Sequence, residues 1–186
     1  MLAAAPDVCD VSAVDAAGHY RKLLQLGRDE FLAAAAPAVL VRFRRDEPDP
    51  PSPGGTTATV DDPYGHAEET LPFGKDLPLE VELEIYPLAK KSGASFPDRI
   101  TIGRTANNDV VINDPSVSRL HAYVKRAGEA WSVTDAGSKN GSWLRGIALE
   151  PRKESALPAS AVMRFGEVDV TFYLARDLFA VLKGAS

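Results

Sequence analysis

Apolar and polar residues follow two different rhythms along this chain. Up to about residue 36 the spacing is helical: Ala13, Ala16, Ala17, Tyr20, Leu23 and Leu24 recur three and four residues apart, the pattern of an amphipathic helix. Ser12, with an acid at Asp15, has the form of a capping box, and Gly27 predicts the stop. A shorter helix is expected over Asp29–Ala36, ended by Pro37. Val39, Val41 and Phe43 then alternate with Leu40 and Arg42, the pattern of a short strand. From Val81 the period is two. Val81, Leu83 and Ile85 alternate with Glu82, Glu84 and Tyr86, and short β-type runs follow at Arg99–Gly103, Val110–Ile112, Ala122–Lys125, Trp131–Thr134, Ser142–Leu144 and Val168–Leu174. Between them lie ANND, NDPS, RAGEA, DAGSKNG and RFGE, all turn chemistry. Leu178, Phe179, Val181 and Leu182 suggest a short C-terminal helix.

Many closely spaced strands with no helical pattern between them predict an all-β fold, an antiparallel β-sandwich. Composition divides the rest. Seven of the fourteen prolines fall between Pro48 and Pro78, where acids are common and large aliphatics sparse. That stretch reads as a linker, disordered for much of its length. The expected organisation is therefore a helical segment over 1–47, a linker over 48–78, a sandwich over 79–176 and a tail over 177–186. The helical segment is read as a cap docked on the sandwich, with a separate interaction arm as the alternative. No internal repeat is visible.

Charge and cysteine content narrow the function. The net charge of −5 disfavours a duplex nucleic-acid binder or an anionic-membrane binder. The single cysteine, Cys9, can close no disulfide within the chain, and no CxxC metal spacing occurs. No apolar run approaches the roughly 18 residues of a membrane span, and the N-terminus lacks a basic leader pattern. These features suit a cytoplasmic protein with no metal and no cofactor. A glycine-rich nucleotide loop is absent, and no nucleophile has an evident base near it in sequence, so an enzyme is the weakest reading.

The chemistry that remains is anion binding. Arg104 follows Gly103 at a strand end and offers a planar fork of donors suited to a phosphate. Ser118 and Arg119 occupy the next long loop, and Lys139 and Asn140 the third. Asn140 can both donate and accept, as reading a peptide backbone requires. A sandwich can gather such loops at one end. Taken singly, each of these residues has a plainer explanation: an arginine paired with a surface acid, an Asn-Gly turn, a structural histidine at His121, or turn-forming carboxylates at Asp109, Asp114 and Asp135.

Together they form a pattern. Gly103-Arg104, Asn108-Asp109, Val117-Ser118-Arg119-Leu120-His121, Trp131, Asp135, Ser138-Lys139-Asn140-Gly141 and Phe165-Gly166 resemble, in order and spacing, the forkhead-associated (FHA) domain. The resemblance covers about Val81 to Leu174. It implies an eleven-stranded sandwich that binds phosphothreonine peptides through loops at one end, without catalysis. It assigns the phosphate to Arg104 and Ser118, a further phosphate contact to Arg119, and the peptide backbone to Asn140. Gly103, His121 and Gly141 would shape the site. Ser116 would help select the residue three after the phosphothreonine. Lys139 departs from the pattern, standing where many relatives have a threonine, and Ser142 replaces a commoner threonine.

The implied function is a phosphothreonine-binding adaptor, with a phosphothreonine-containing protein as partner and a serine/threonine kinase upstream. Two alternatives stand beside it. In one, the site captures a phosphorylated threonine of the chain's own linker. Thr59 and Thr70, which have acidic neighbours, are the candidate phosphorylation sites, although polar filler is the plainer reading of both. In the other, the chain is a scaffold that acts through its N-terminal segment, independently of phosphate.

Overall fold

The computed structural model describes residues 13–44, 82–91 and 96–184. Cys9, Ser12, the stretch 48–78 with Thr59 and Thr70, and Val81 lie outside the described residues. Two helices come first, α1 (Ala13–Leu26) and α2 (Arg28–Ala34). Eleven strands follow: β1 (Ala38–Arg44), β2 (Glu82–Pro87), β3 (Ile100–Gly103), β4 (Val110–Val111), β5 (Ala122–Ala127), β6 (Ala130–Asp135), β7 (Ser142–Leu144), β8 (Ile147–Ala148), β9 (Ser155–Ala156), β10 (Val162–Phe165) and β11 (Val168–Leu174). The last element is α3 (Ala175–Gly184). The strands form a six-stranded sheet, β2-β1-β11-β10-β7-β8, and a five-stranded sheet, β4-β3-β5-β6-β9. Neighbours run antiparallel, except that β4 lies parallel to β3.

One expectation needs correcting. The sandwich does not begin near residue 79. β1, expected within a separate N-terminal segment, lies inside the six-stranded sheet between β2 and β11, with Leu40 opposite both Tyr86 and Phe172. Its sequence shows why. Ala38 and Leu40 face the core between the sheets, while Val39 and Val41 face the helices. A strand covered on both sides has an unbroken apolar run, and all four of these residues are buried.

The sandwich core holds Leu40, Ile102, Val124, Val133, Met163, Phe165 and Phe172, with Trp131 tilted against Phe172 at 5.6 Å between ring centroids. A second core lies on the outer face of β2-β1-β11, where Tyr20, Leu23, Phe31 and Leu178 from the three helices cover Val39, Val41, Ile85 and Tyr173. The Tyr20 ring meets Phe31 edge-on at 5.8 Å, and Phe31 meets Phe179 at 5.2 Å. The Tyr20 hydroxyl accepts from the Ala36 N–H at 3.2 Å, fixing the turn out of α2. The helices are thus the outer layer of a three-layer structure.

Phe31, fully buried, is the keystone of that layer. Phe31→Ala should lower the unfolding free energy by about 3–5 kcal/mol. Denaturant unfolding of the whole chain measures this. A loss below about 1 kcal/mol would show that the helices contribute little to the fold.

Candidate functional site

The loops 104–109, 112–121 and 136–141 and the turn 166–167 meet at one end of the sandwich. Their anchors are buried carboxylates. Asp109 accepts from the Thr101 N–H and hydroxyl, from the Lys91 N–H and from Lys90 Nζ, all at 2.8–3.0 Å. Burial pushes its carboxyl up, but the Lys90 ammonium and these donors outweigh that and hold it below the usual carboxylate range. It is a buried anchor, more than the turn-former expected from sequence. Asp135 is saturated in the same way: Oδ1 accepts from the N–H groups of Gly137 and Ser138, and Oδ2 from the hydroxyls of Ser138 and Ser142. Burial raises its pKa, and the Ser138 and Ser142 bonds then lower it further than burial lifts it. Asp114 closes the 113–118 loop by accepting from the Ser116 N–H at 2.9 Å and hydroxyl at 2.6 Å. Arg42 of β1 stands 3.7 Å from Asp114, tying that strand to the loop.

His121 joins two loops. It is fully buried, and its Nδ1 accepts from the Ser118 N–H at 3.0 Å. The ring proton therefore sits on Nε2, which donates to the Gly141 carbonyl at 3.0 Å. Burial, the largest influence, depresses the imidazole pKa below its ordinary value, against the opposing pull of the Gly141 carbonyl and Asp135. The ring also packs edge-on against Phe165.

Close backbone approach fixes the rest. A Cβ on Gly103 would stand 2.3 Å from the Arg119 carbonyl oxygen, so only glycine fits. That oxygen accepts from Asn108 Nδ2 at 2.6 Å and from the Thr105 hydroxyl at 3.0 Å. Arg104 N–H donates to the Ser118 carbonyl at 3.0 Å. Asn108, which the sequence pattern included without a role, and Thr105, which it did not include, are supporting residues of the site. A threonine in a turn is too common a signal to have singled out Thr105.

The candidate contact residues follow. Ser118 is half-buried, and its hydroxyl oxygen accepts from the Lys139 N–H at 2.9 Å, which leaves its proton free to donate outward. Arg104, Arg119 and Lys139 are exposed, and among the described residues their side chains form no hydrogen bond or ion pair. Asn140 donates through Nδ2 to the Ser116 carbonyl at 2.8 Å, while its Oδ1 has no partner. Ser116 is buried, its hydroxyl held between Asp114 and the Glu167 N–H. It acts here as a brace between loop and turn. Gly141, at φ 82°, accepts from His121 and from the Gly166 N–H.

The loops at this end thus carry three cations, a hydroxyl proton and an amide oxygen that have no partner among the described residues. The family model described as "FHA domain" matches residues 100–166, the span that holds this arrangement. The chain carries an FHA domain. FHA domains are non-catalytic binding modules whose typical ligand is phosphothreonine.

The chain is also 28% identical to the oxoglutarate dehydrogenase inhibitor of Corynebacterium jeikeium over 112 residues, 58% of this chain and 76% of that protein. It is 32% identical over 72 residues to the protein of the same name from Corynebacterium diphtheriae, covering 39% of this chain and about half (48%) of that one. Among solved structures, Mycobacterium tuberculosis EmbR in complex with a low-affinity phosphopeptide matches with a TM-score of 0.38 and 27% identity, over 41% of this chain and 20% of that one. Among the described residues, no helix is long and apolar enough to cross a membrane.

The His121 geometry sets a pH dependence. Its folded pKa lies below the unfolded value, so the unfolded chain takes up the proton first as pH falls. Stability is full above about pH 6.5 and declines below it, by at most about 1.4 kcal/mol per pH unit. Unfolding of the ligand-free protein between pH 7.5 and 5.5 should show this slope, and His121→Asn should flatten it. Equal slopes in both proteins would remove His121 as the cause.

Proposed function

We propose that this FHA domain reads phosphothreonine in a partner protein, as a non-catalytic adaptor in serine/threonine kinase signalling. The observation that carries the reading is that the backbones of Arg104 and Lys139 both bond to Ser118, beside Arg119, while none of these three cations has a side-chain partner among the described residues. A phosphothreonine brings about −1.5 to −2 charges and three strong acceptor oxygens, which match such a set. Arg104 and Ser118 take the phosphate, and Arg119 and Lys139 add charge beside it. Asn140 Oδ1 accepts a peptide N–H. Ser116, whose hydroxyl is spent, influences peptide choice by shaping the loop. The relatives named as dehydrogenase inhibitors make a metabolic enzyme one candidate partner class.

Each charge-assisted hydrogen bond contributes roughly 1.5–3 kcal/mol. Arg104→Ala should therefore weaken phosphothreonine-peptide binding at least about tenfold. Titration of phosphorylated and unphosphorylated forms of one peptide against both proteins tests this. Equal binding by the two proteins, or of the unphosphorylated peptide, would overturn the reading.

A second reading is favoured by where residues 45–81 are attached. Arg44 and Glu82 are direct partners across the β1–β2 pair. β1 runs antiparallel to β11, whose start at Val168 adjoins the 166–167 turn, and Arg42 pairs with Asp114. Arg44 and Glu82, the residues that flank the segment, therefore stand at the end of the sandwich that holds the site. Thr70, at full extension, reaches up to about 40 Å from Glu82, and tethering supplies millimolar effective concentration. Phosphorylated Thr70 or Thr59 would then compete with outside ligands. Kinase treatment should weaken external-peptide binding in the wild type and leave the Thr59→Ala, Thr70→Ala double variant unaffected. Equal affinities after treatment would end this reading.

A further inference from the structure

Most of the described lysines and arginines of the sandwich strands and loops are engaged, as in Arg164 with Asp169 and Lys90 with Asp109. Among the described residues of the sandwich, the unengaged cations are Arg104, Arg119, Lys139, Arg145 and Arg152. Arg145 lies in the β7–β8 turn, at the far end of β7 from the site. Arg152 does not. Its N–H donates to the Asp135 carbonyl at 2.8 Å, which moors it at the root of the 136–141 loop. A Cβ built on Gly137 would stand 3.8 Å from Arg152 Nε and 4.0 Å from Nη2, so the guanidinium lies alongside that loop, two residues from Lys139.

The acids nearby do not neutralise it. Asp135 is filled by its own loop. Glu150 pairs with Lys153, and Glu154 with Lys125. Glu167 meets Ser116 through its backbone N–H, beside the Asn140 end of the 137–140 loop and away from the Gly137 end where Arg152 lies. Arg152 also holds a left-handed backbone, φ 63°, uncommon for a residue with a long side chain.

We infer that Arg152, with Lys139, forms a second anion position on the peptide-binding surface, selecting ligands with another carboxylate or phosphate near the phosphothreonine. The inference rests on the phosphothreonine reading. Gly137 and Lys139 are at most about 7 Å apart along the chain, and Lys139 N–H touches Ser118, so the second group falls within about three residues of the first in an extended peptide. The contacts are exposed, so the gain is modest: about three- to tenfold in affinity.

The test uses the full chain and one phosphothreonine peptide with alanine at the three positions on each side. Glutamate is scanned through those positions, and a second phosphothreonine replaces it at the best one. The readout is the ratio of acidic-peptide to alanine-peptide affinity. The wild type should favour at least one glutamate peptide by about three- to tenfold, and the doubly phosphorylated peptide at least as much. Arg152→Lys should keep most of that ratio, Arg152→Gln should reduce it, and Arg152→Glu should invert it. A purely structural role would shift both peptides together and leave the ratio unchanged, which would overturn the inference, as would a wild type indifferent to glutamate. Wild-type binding of the alanine peptide separates the two levels: if it is present without acidic preference, only this inference fails. If no phosphopeptide binds, the phosphothreonine reading fails and this inference with it.

Discussion

The imidazole of His121 holds the binding end together. It sits fully buried between the Ser118 N–H and the Gly141 carbonyl, two groups on different loops. Leaving either unpaired costs about 1–3 kcal/mol. The ring spans the gap because a neutral imidazole carries one acceptor and one donor on opposite sides. Its backbone extends the same link: His121 N–H donates to Ile102 and its carbonyl accepts from Ala136, so β3, β5 and the 136–141 loop all meet at one residue. Ser118 and Asn140 depend on that link for their positions.

Charge is divided by depth. Asp109 and Asp135 lie inside, each satisfied by several donors, and they stay ionised because those donors outweigh the cost of burial. The cations lie outside and unpaired. If the acids were exposed, they would pair with Arg104, Arg119 and Lys139, and the surface would be neutral. Spending carboxylates on backbone N–H groups lets a chain of net charge −5 keep a positive spot.

Much of this was legible in the sequence because the period-two runs and the turn residues are local. The strands from Arg99 to Leu144 appear close to their expected limits. β8 and β9 were missed because two-residue ladders leave no periodic trace. β10 was hidden by Arg164, whose charge is met across the pair by Asp169. The place of β1 depends on register across residues 45–81, and no local pattern encodes it. The same holds at the site. Gly103-Arg104 and Ser118-Arg119 stand within motifs, whereas Arg152 comes to the loop from a segment with no motif at all.

The insertion between β1 and β2 is easier to tolerate than its length suggests. Closing a loop costs about 0.6 kcal/mol for each doubling of its length, so tens of residues add little beyond a short turn. What must be secured is the root, and here the root is strong: β1 is buried on both faces by the sheet core and the helical layer, and Arg42 and Arg44 bind Glu84 across the pair. The helices therefore contribute to the binding end indirectly. They fix the strand that carries Arg42, and Arg42 steadies Asp114 and the loop that leads to Ser118. With the root fixed from both sides, the length of chain between Arg44 and Glu82 places little demand on the sheet itself.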